Sequence, residues 1–370
     1  MSEQPTASDT PPEVAPVRPG EQLDWAALEA YLRRELPGVG LEVTGPMSVL
    51  QFPNGHANLT YLVTFGADTA NPQRVVVRRP PMGRVAPGAH DMRREFRVLS
   101  RLWQAYDRAP RAYLFCDDHT VIGADFLVSE YRRGVVIWGA WPPSMRGLPD
   151  VGRRAGFAVV DALADLHLVD PHACGLADLG RPEGYLTRQL HGWLERWTLV
   201  ATPELDPLMR RIGEELRRTQ PRSREATLLH NDFKMDNCQF AEGRPDRVVS
   251  VFDWDMATQG DPLADVGMLL NYWPDHSDTD EDRPLHFPGM ERMNLPPRAE
   301  ITEHYAARTG ADMAGIGWYE AFCAWKIAVV CQQLAVRYLR GESTDERMAE
   351  QVNYPPRMAR RAERILERIR

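Results

Sequence analysis

Short apolar runs separated by polar turns mark the first third of the chain. Such runs are typical of β-strands, and they predict strands at residues 43–52, 59–65, 74–79, 114–116 and 126–131. Two segments of the same third space their apolar side chains three or four residues apart, which predicts helices at residues 23–36 and 91–105.

Helical spacing dominates the chain beyond residue 131. The clearest example runs from Val151 to Leu166, with apolar side chains along one face. Further helices are predicted at residues 182–199, 204–218, 262–273, 297–309, 318–339 and 344–369, and short strands at 227–229 and 248–252. A β-rich start followed by a mostly helical remainder predicts an α+β fold of two lobes.

The same pattern predicts where the lobes begin and end. Residues 1–20 are rich in Pro, Ser, Thr and Glu with almost no large apolar side chain, which predicts a disordered tail. The β-rich N-lobe is predicted at residues 21–132 and the helical C-lobe at residues 133–370.

Composition and charge narrow the classes of partner. The 370 residues carry a net charge of −8, whereas nucleic-acid-binding domains normally have a basic excess, so no nucleic-acid partner is expected. The N-terminus lacks the basic and apolar regions of a secretory signal, and the apolar runs are too short or too interrupted to span a membrane. The five cysteines form no C-x-x-C pair. These features predict a cytoplasmic protein without a membrane partner, and none of them indicates an oligomeric state.

Lysine is nearly absent from the chain. Only Lys234 and Lys326 occur, so the other basic residues are all arginine. A coding bias explains arginine wherever either residue suffices. A lysine retained against such a bias indicates a position that needs a compact ammonium group.

The residues with chemical potential concentrate between residues 230 and 265. The string from His230 to Asn237 reads H-N-D-F-K-M-D-N, and sixteen residues after Asn237 an apolar strand ends at Asp253. The chain has no Walker A lysine, no G-x-G-x-x-G after a strand, no G-x-S-x-G and no H-E-x-x-H. Their absence removes the main support for P-loop NTPase, dehydrogenase, serine hydrolase and zinc protease functions.

The chemistry of phosphoryl transfer explains this arrangement. A carboxylate, Asp232, is suited to accept the proton of an attacking hydroxyl, and Lys234 offers a positive charge to the γ-phosphate. The amide oxygen of Asn237 and the carboxylate of Asp253 are suitable ligands for Mg²⁺. The sequence therefore predicts a phosphotransferase site that uses Mg²⁺ and a nucleotide.

The sequence resembles the aminoglycoside phosphotransferase-like kinases, the small-molecule branch of the protein-kinase-like fold. It resembles especially the kinase-like domain associated with acyl-CoA dehydrogenases. The matching strings are FPNGHANLTYL at 52–62, VRRPP at 77–81, REFRVL at 94–99, the 230–237 string and GDPLAD at 260–265. The resemblance implies a bilobal protein-kinase-like fold, with a small β-rich N-lobe, a larger helical C-lobe, and ATP or GTP in the cleft between them.

The resemblance also implies roles for individual residues. Asp232 matches the catalytic base, and Asn237 and Asp253 match the metal ligands. Arg78 stands where kinases carry the strand-3 lysine, and Glu95 would be its partner. Nucleotide contacts are also implied for the turn residues Asn54, Gly55 and Asn58 and the hinge residues Glu130 and Tyr131.

Three further residues are predicted to support the site. Asp255 follows Asp253 by two residues, and because both face the same side of an extended chain, Asp255 would assist the metal or the acceptor. His230 is predicted to brace the loop. Asp265 falls in the first turn of a predicted helix, where it interacts with the helix dipole or braces the catalytic loop.

Two charged segments give opposite indications about the acceptor. Five of the eight residues 275–282 are acidic, which suits a cationic acceptor such as an aminoglycoside. The final helix carries six arginines that suit an anionic acceptor such as a hydroxyacyl-CoA, namely Arg357, Arg360, Arg361, Arg364, Arg368 and Arg370. A solvated charged surface is the ordinary explanation for each segment taken alone. The resemblance favours a hydroxyacyl-CoA-like metabolite over an aminoglycoside.

The sequence thus predicts a small-molecule kinase, an ATP- or GTP-dependent O-phosphotransferase that acts on a hydroxyl group. The alternative hypothesis is a catalytically silent kinase-like module that only binds nucleotide. Arg78 in the lysine position favours the module, whereas the intact Asp232, Asn237 and Asp253 favour the enzyme.

Overall fold

Two hydrophobic cores organise the protein. The computed structural model describes residues 13–53, 58–82, 91–280, 285–341 and 351–370. Within these residues, the smaller core includes Tyr61, Val77 and Phe126 and belongs to the first third of the chain. The larger core extends from Val98 to Leu366 and is mostly helical. The molecule is therefore bilobal, with a β-rich part and a helical part.

Five antiparallel strands form the sheet of the smaller part, in the order β1-β2-β3-β5-β4. They are β1 (Met47–Gln51), β2 (Leu59–Phe65), β3 (Gln73–Arg79), β4 (Ala112–Cys116) and β5 (Phe126–Glu130). Burial alternates along β3, where Val75, Val77 and Arg79 are buried and the residues between them are partly exposed. Arg78, on this central strand, is paired with Thr60 of β2 and Leu127 of β5.

The helices of this part begin where aspartate side chains cap them. In α1 (Trp25–Glu35) and α2 (Met92–Leu102), Asp24 and Asp91 accept hydrogen bonds from amides of the first turn. The inner face of α2 carries Glu95, which is buried. A short helix that the sequence pattern did not predict, α3 (His119–Ile122), lies between β4 and β5.

The disordered tail predicted for residues 1–20 is wrong for residues 13–20. Ala15 forms a bridge with Gln51 of β1 through two backbone hydrogen bonds of 2.9 and 2.8 Å. The backbone amide of Arg18 donates to the side-chain oxygen of Gln51 at 2.9 Å. An unpaired edge strand has free backbone groups, and this segment pairs with them despite its polar composition. Residues 1–12 lie outside the described part of the chain.

Seven helices of the second part follow the predicted spacing closely. They are α4 (Val151–His167), α5 (Tyr185–Thr198), α6 (Asp206–Arg218), α7 (Leu263–Leu270), α8 (Arg298–Thr309), α9 (Ile316–Leu339) and α10 (Tyr354–Arg368). The helix predicted at 344–369 is described only from residue 351 onward. No helix in the described ranges is long and apolar enough to cross a membrane.

Short strands position the loops between these helices. They are β6 (Val135–Val136), β7 (Thr227–Leu229), β8 (Cys238–Ala241), β9 (Arg244–Val251) and β10 (Thr258–Gly260). They form a three-stranded sheet, β6-β8-β9, and a two-stranded sheet, β10-β7. The loop after β7 begins at His230 and the chain after β9 leads to Asp253, so both chemistry-bearing segments follow strand ends.

Candidate active site

The loop after β7 and the loop after β9 are joined by their backbones. The amide of Phe252 donates to the carbonyl oxygen of Asn237 at 2.9 Å. Asn231 and Asp253 both have positive φ angles, 66° and 69°, which non-glycine residues rarely adopt. Such conformations persist only where surrounding contacts hold them, and they are common at functional sites.

Asp232 lies at the centre of a small polar network. Its carboxylate accepts hydrogen bonds from Lys234 Nζ at 2.9 Å and from Asn237 Nδ2 at 3.2 Å. Asn237 Nδ2 also donates to the Asp232 carbonyl at 2.8 Å. Because Nδ2 is engaged in this way, Oδ1 of Asn237 is the atom available to a ligand.

Lys234 lies between two carboxylates. Its ammonium is 2.9 Å from Asp232 and 3.8 Å from Asp236, and it lies 5.1 Å from the centre of the Tyr272 ring. Burial lowers the pKa of Lys234, but Asp232 and Asp236 more than offset it and raise the pKa well above the ordinary value. Lys234 is therefore a permanent positive charge beside Asp232.

Arg78 bridges the two parts of the molecule. Its Nη2 donates a hydrogen bond to Asp253, and its Nε lies 3.0 Å from Oε2 of Glu95. The contact with Glu95 is an ion pair without a well-aligned hydrogen bond, since neither atom meets the geometry of one. The structure thus brings the predicted pair of Arg78 and Glu95 together and adds Asp253 to it.

Burial and charge set the protonation of this cluster. Burial outweighs Arg78 and raises the pKa of Glu95 to about 8. Burial also raises the pKa of Asp253, but Arg78, Lys234 and His230 more than offset it and leave it below the ordinary value. Burial, followed by the nearby charge of Asp253, raises the pKa of Asp255 to about 7. Asp253 therefore retains its negative charge, whereas Asp255 shares a proton with solvent near neutral pH.

Asp265 holds the loop that carries Asp232. It is fully buried, and its carboxylate accepts the backbone amides of His230 and Asn231 at 2.6 and 2.7 Å. His167 Nε2 lies 3.3 Å from the same carboxylate, and His167 Nδ1 lies 2.7 Å from the Tyr305 hydroxyl. Of the alternatives left open for Asp265, the contacts support bracing of the catalytic loop.

His230 also braces the loop. Its Nε2 lies 2.7 Å from the carbonyl oxygen of Phe252, and its Nδ1 accepts the amide of Asp232 at 3.3 Å. Its ring lies 4.7 Å from the ring of Trp254, centre to centre. The imidazole thus links the backbone amide of Asp232 to the backbone carbonyl of Phe252, the residue before Asp253.

Several residues around the site were not singled out from the sequence. Tyr185 donates its hydroxyl to Oδ1 of Asn231 at 2.9 Å, and Nδ2 of Asn231 donates to the Met256 carbonyl at 2.9 Å. Asp236 lies inside the 230–237 string, two residues after Lys234, and this spacing is the sequence feature that could have identified it as a partner of Lys234. Tyr185 lies 46 residues before Asn231, and no local pattern connects the two.

A cavity of about 730 Å³ opens at these residues. Asp232, Asn237 and Asp253 line it, together with Arg78 and Lys234. The hinge residues Glu130 and Tyr131 also line it. Asn58 is buried and lies beside Asp255, with which its side-chain amide interacts. The predicted turn residues Asn54 and Gly55 lie outside the described residues.

The donor set is compatible with Mg²⁺ bound together with phosphates. No group of three or more His, Cys, Asp or Glu side chains is arranged to hold a metal by itself in the part of the chain that is described. Mg²⁺ is usually held by one or two carboxylates, with phosphate oxygens and water completing an octahedron. The charged Asp253 and the available Oδ1 of Asn237 fit that requirement.

The two charged segments that gave opposite indications about the acceptor neutralise each other in part. Asp278 lies 2.6 Å from Arg298 and 3.8 Å from Arg361 of α10. Arg361 is buried and also pairs with Glu320 at 2.5 Å. Asp275 accepts the backbone amides of Ser277 and Arg298 at 3.0 and 2.8 Å. Although burial raises the pKa of Asp275, these hydrogen bonds lower it to about 2. Glu281 and Asp282 lie outside the described residues.

The chain is similar in sequence to known proteins over most of its length. A family profile described as "Phosphotransferase enzyme family" matches residues 48–295. Acyl-CoA dehydrogenase family member 11 of Rattus norvegicus is 32% identical over 336 residues, which are 89% of this chain and 42% of the relative. The chain therefore spans about two fifths of the length of that curated relative.

Solved structures share the fold. A "putative aminoglycoside phosphotransferase" from Ralstonia eutropha matches with a TM-score of 0.73 and 28% identity, covering 94% of this chain and 99% of that one. The GDP complex of aminoglycoside 2'-phosphotransferase-IIIa matches with a TM-score of 0.58 and 15% identity, covering 91% and 98%. At that lower identity the second match shows the fold alone.

Proposed function

Because the chain belongs to the phosphotransferase enzyme family, we propose that it transfers the γ-phosphate of ATP or GTP to a hydroxyl group of a small molecule. The family resemblance and the bilobal protein-kinase-like α+β fold predicted from the sequence are both confirmed. Small-molecule phosphotransfer is what the family supports. The nucleotide, the metal, the acceptor and the roles of individual residues are the parts that we propose.

One observation carries the proposal. Asp232 and Asn237 of the loop after β7 line one cavity together with Asp253 of the loop after β9. Lys234 and Arg78 supply positive charge to the same cavity. A carboxylate base, two oxygen ligands and two cations are the groups that phosphoryl transfer requires.

Asp232 would act as the base. Its carboxylate is oriented by Lys234 and Asn237, and it would accept the proton of the acceptor hydroxyl as the hydroxyl oxygen bonds to the terminal phosphorus. The bond from that phosphorus to the bridging oxygen breaks, and the nucleoside diphosphate leaves. Lys234 would stabilise the negative charge that spreads over the transferring group.

Asn237 and Asp253 would hold Mg²⁺. The metal would neutralise the β- and γ-phosphates when it is bound. Arg78 contacts Asp253, so its guanidinium is close enough to donate hydrogen bonds to phosphate oxygens beside that carboxylate. The GDP complex of a protein with the same fold supports a nucleotide in this cleft.

The lining of the cavity fits an acceptor that is an apolar metabolite with a hydroxyl group better than it fits a polycation. The cavity is lined by apolar residues on α7, α9 and the segment between α7 and α8, namely Met268, Leu285, Met290, Ile327, Val330 and Leu334. Asp275 and Asp278 both bind Arg298, so these two carboxylates are less available to a cationic acceptor such as an aminoglycoside. Similarity to acyl-CoA dehydrogenase family members supports a hydroxyacyl-CoA-like acceptor.

A screen of acceptors tests this proposal. Hydroxyacyl-CoAs, aminoglycosides and amino alcohols are each mixed with the protein, Mg²⁺ and ATP or GTP, and consumption of nucleotide is recorded. We expect a hydroxyacyl compound to stimulate consumption and to appear as a phosphate ester by mass spectrometry. Stimulation by aminoglycosides alone would contradict the proposed acceptor, and no stimulation by any compound would contradict the proposed activity.

A silent nucleotide-binding module remains the second candidate, because Arg78 pairs with Asp253 and thereby occupies the proposed metal ligand. Thermal unfolding with nucleotide separates the two candidates. The enzyme requires that Mg²⁺ increase the stabilisation by nucleotide, since metal and phosphates bind together. Stabilisation that is the same with and without Mg²⁺ would favour the module.

A further inference from the structure

Lys326 is a buried lysine that the proposed chemistry does not use. It is one of only two lysines in the chain and lies on α9, with 5% of its surface exposed. Its Nζ lies 3.3 Å from the carbonyl oxygen of Asn231, the residue directly before Asp232. It also lies 5.3 Å from the centre of the Trp193 ring. Lys326 therefore contacts, from α9, the loop that carries Asp232 and Lys234.

The ammonium of Lys326 has no counter-ion among the described residues. No carboxylate lies within 4.0 Å of its Nζ there, and the carbonyl of Asn231 is the one hydrogen-bond acceptor described for its three donors. The nearest acidic groups are engaged elsewhere, since Asp232 binds Lys234 and Asp265 binds the loop amides. Burial accordingly lowers the pKa of Lys326.

A buried cation without a partner is costly unless a ligand supplies one. Taking an ammonium out of water without a matching anion is strongly unfavourable. Lys326 lines the same cavity as Asp232, and its neighbours Ile327, Val330 and Cys331 on α9 are apolar parts of the wall. A ligand in this part of the cavity would meet an apolar wall with a single positive group in it.

We propose that Lys326 binds an acyl oxygen of the acceptor, either the carboxylate of a hydroxy acid or the carbonyl oxygen of its thioester. This inference rests on the proposed function and makes Lys326 a determinant of acceptor specificity. The hydroxyl of the acceptor lies at Asp232, its acyl oxygen lies at Lys326, and its hydrocarbon chain packs against the apolar wall. Lys326 reaches the residue before Asp232, so the hydroxyl and the acyl carbon are separated by only a few bonds.

Direct binding measurements test this assignment without requiring turnover. The probes are decanoates with the hydroxyl on carbon 3, 4 or 5, their CoA thioesters, and decanediols in which a CH₂OH group replaces the carboxyl group. Each is titrated calorimetrically into the wild-type protein and into Lys326→Met, which keeps the length of the side chain and removes the ammonium. Gln332→Met on the same helix is the matched control, because its side chain donates to Val200 outside the cavity lining.

Lys326→Met is expected to weaken binding of at least one hydroxydecanoate or its thioester by about 30-fold or more, as for the loss of a charged hydrogen bond. Binding of the matching diol changes less than about threefold, and Gln332→Met leaves both unchanged. The preferred free acid or thioester identifies which of the two sources the site takes. Nucleotide affinity of Lys326→Met stays within about twofold of wild type, since the nucleotide does not contact this lysine.

Three results would overturn the assignment. One is that the wild-type protein binds none of the acyl probes. The second is that Lys326→Met weakens acid and diol equally, which is the behaviour of a lysine that only supports the Asn231 carbonyl. The third is that it weakens neither. If Lys326→Met turns out unfolded, Lys326→Gln is titrated in its place with the same criteria. Acyl binding that depends on Lys326 without any phosphate transfer would leave this assignment intact and contradict the proposed activity instead.

Discussion

The guanidinium of Arg78 contacts the carboxylate of Asp253, so the residue predicted to replace the kinase lysine and the proposed metal ligand form an ion pair. Glu95 lies on the other side of the same guanidinium, with 3.0 Å between Arg78 Nε and Glu95 Oε2. Arg78 therefore joins the two parts of the molecule through Glu95 and Asp253, and its guanidinium is the group that we propose binds phosphates. Its two functions are separable by mutation.

Replacing Arg78 by Met should destabilise the fold by about 3 kcal/mol, because it leaves the carboxyl groups of Glu95 and Asp253 without the guanidinium. The double variant Arg78→Met and Glu95→Met should regain only part of that loss, since the buried Glu95 carboxyl is then absent while Asp253 still lacks its cation. Urea unfolding of the two variants measures this difference. Nucleotide affinity should fall in both by about tenfold or more, because neither offers a guanidinium to the phosphates. Equal destabilisation of both variants would show that the ion pair does not contribute as described.

The sign of the pH dependence follows from Glu95. Burial raises its pKa to about 8 in the folded protein from 4.5, so the folded state binds more protons than the unfolded state between these values. This contribution to the free energy of unfolding is present below about pH 4.5 and is lost as the pH rises toward about 8. Glu95→Gln should flatten the fall in stability across that range.

The exposed Glu225 provides the control for this pH series. Glu225→Gln should leave the slope of stability against pH unchanged, because its side chain is exposed and packs against no charged partner of the Arg78 cluster. Denaturant unfolding at closely spaced pH values measures the slopes. A slope for Glu95→Gln that equals that of wild type would contradict the raised pKa.

Asp265→Asn tests the support of the catalytic loop. The carboxylate of Asp265 accepts hydrogen bonds from the backbone amides of His230 and Asn231. In asparagine an NH₂ group replaces one of the two acceptor oxygens, so one backbone N–H would face another donor. We expect a loss of about 2–4 kcal/mol in stability and a fall in kcat with a smaller change in the KM for nucleotide. Asp261→Asn is the comparison, because Asp261 accepts amides of Arg224 and Leu263 instead. Equal kcat values for Asp265→Asn and wild type would exclude a positioning role.

The α10 arginines divide into structural and exposed side chains. Arg361 is buried against Glu320 and Asn271, whereas Arg360 is exposed. Arg361→Leu should cost about 3 kcal/mol or more, and Arg360→Leu less than about 0.5 kcal/mol. Thermal and urea unfolding compare the two. A normal stability of Arg361→Leu together with a weaker acceptor affinity would support the arginine helix as an acceptor surface, contrary to the contacts.

Much of the fold could be predicted from spacing alone. The strand of Val75 and Val77 is a run of β-branched residues between polar segments, and the long helices beyond residue 131 repeat their apolar faces over many turns. The strands β6, β8 and β10 are two to four residues long, and patterns this short carry no periodicity. Ala15 forms a backbone bridge with Gln51 of β1, which the polar composition of the segment does not reveal.

The site was partly predictable for a related reason. Asp232, Lys234 and Asn237 lie within one loop, so their chemistry appears as a motif. The positive φ of Asn231 and Asp253 has no signature, because neither residue is a glycine. Arg361 and Asp278 are in contact although they lie 83 residues apart in the sequence. Each charged segment taken alone therefore suggested an acceptor-binding surface, whereas in the structure the two segments partly neutralise each other. Lys326, for which the described residues provide no counter-ion, was visible only as a rare residue type.

The role of Asp232 is tested most directly by Asp232→Asn. Acceptor-dependent phosphate transfer and nucleotide affinity are measured side by side on the wild type and this variant, with Mg²⁺ present. Removal of the base should lower kcat by about 10²-fold or more while the nucleotide dissociation constant stays within about threefold. Full transfer activity in Asp232→Asn would contradict the account, because a carboxylate at this position would then not take the proton of the acceptor hydroxyl.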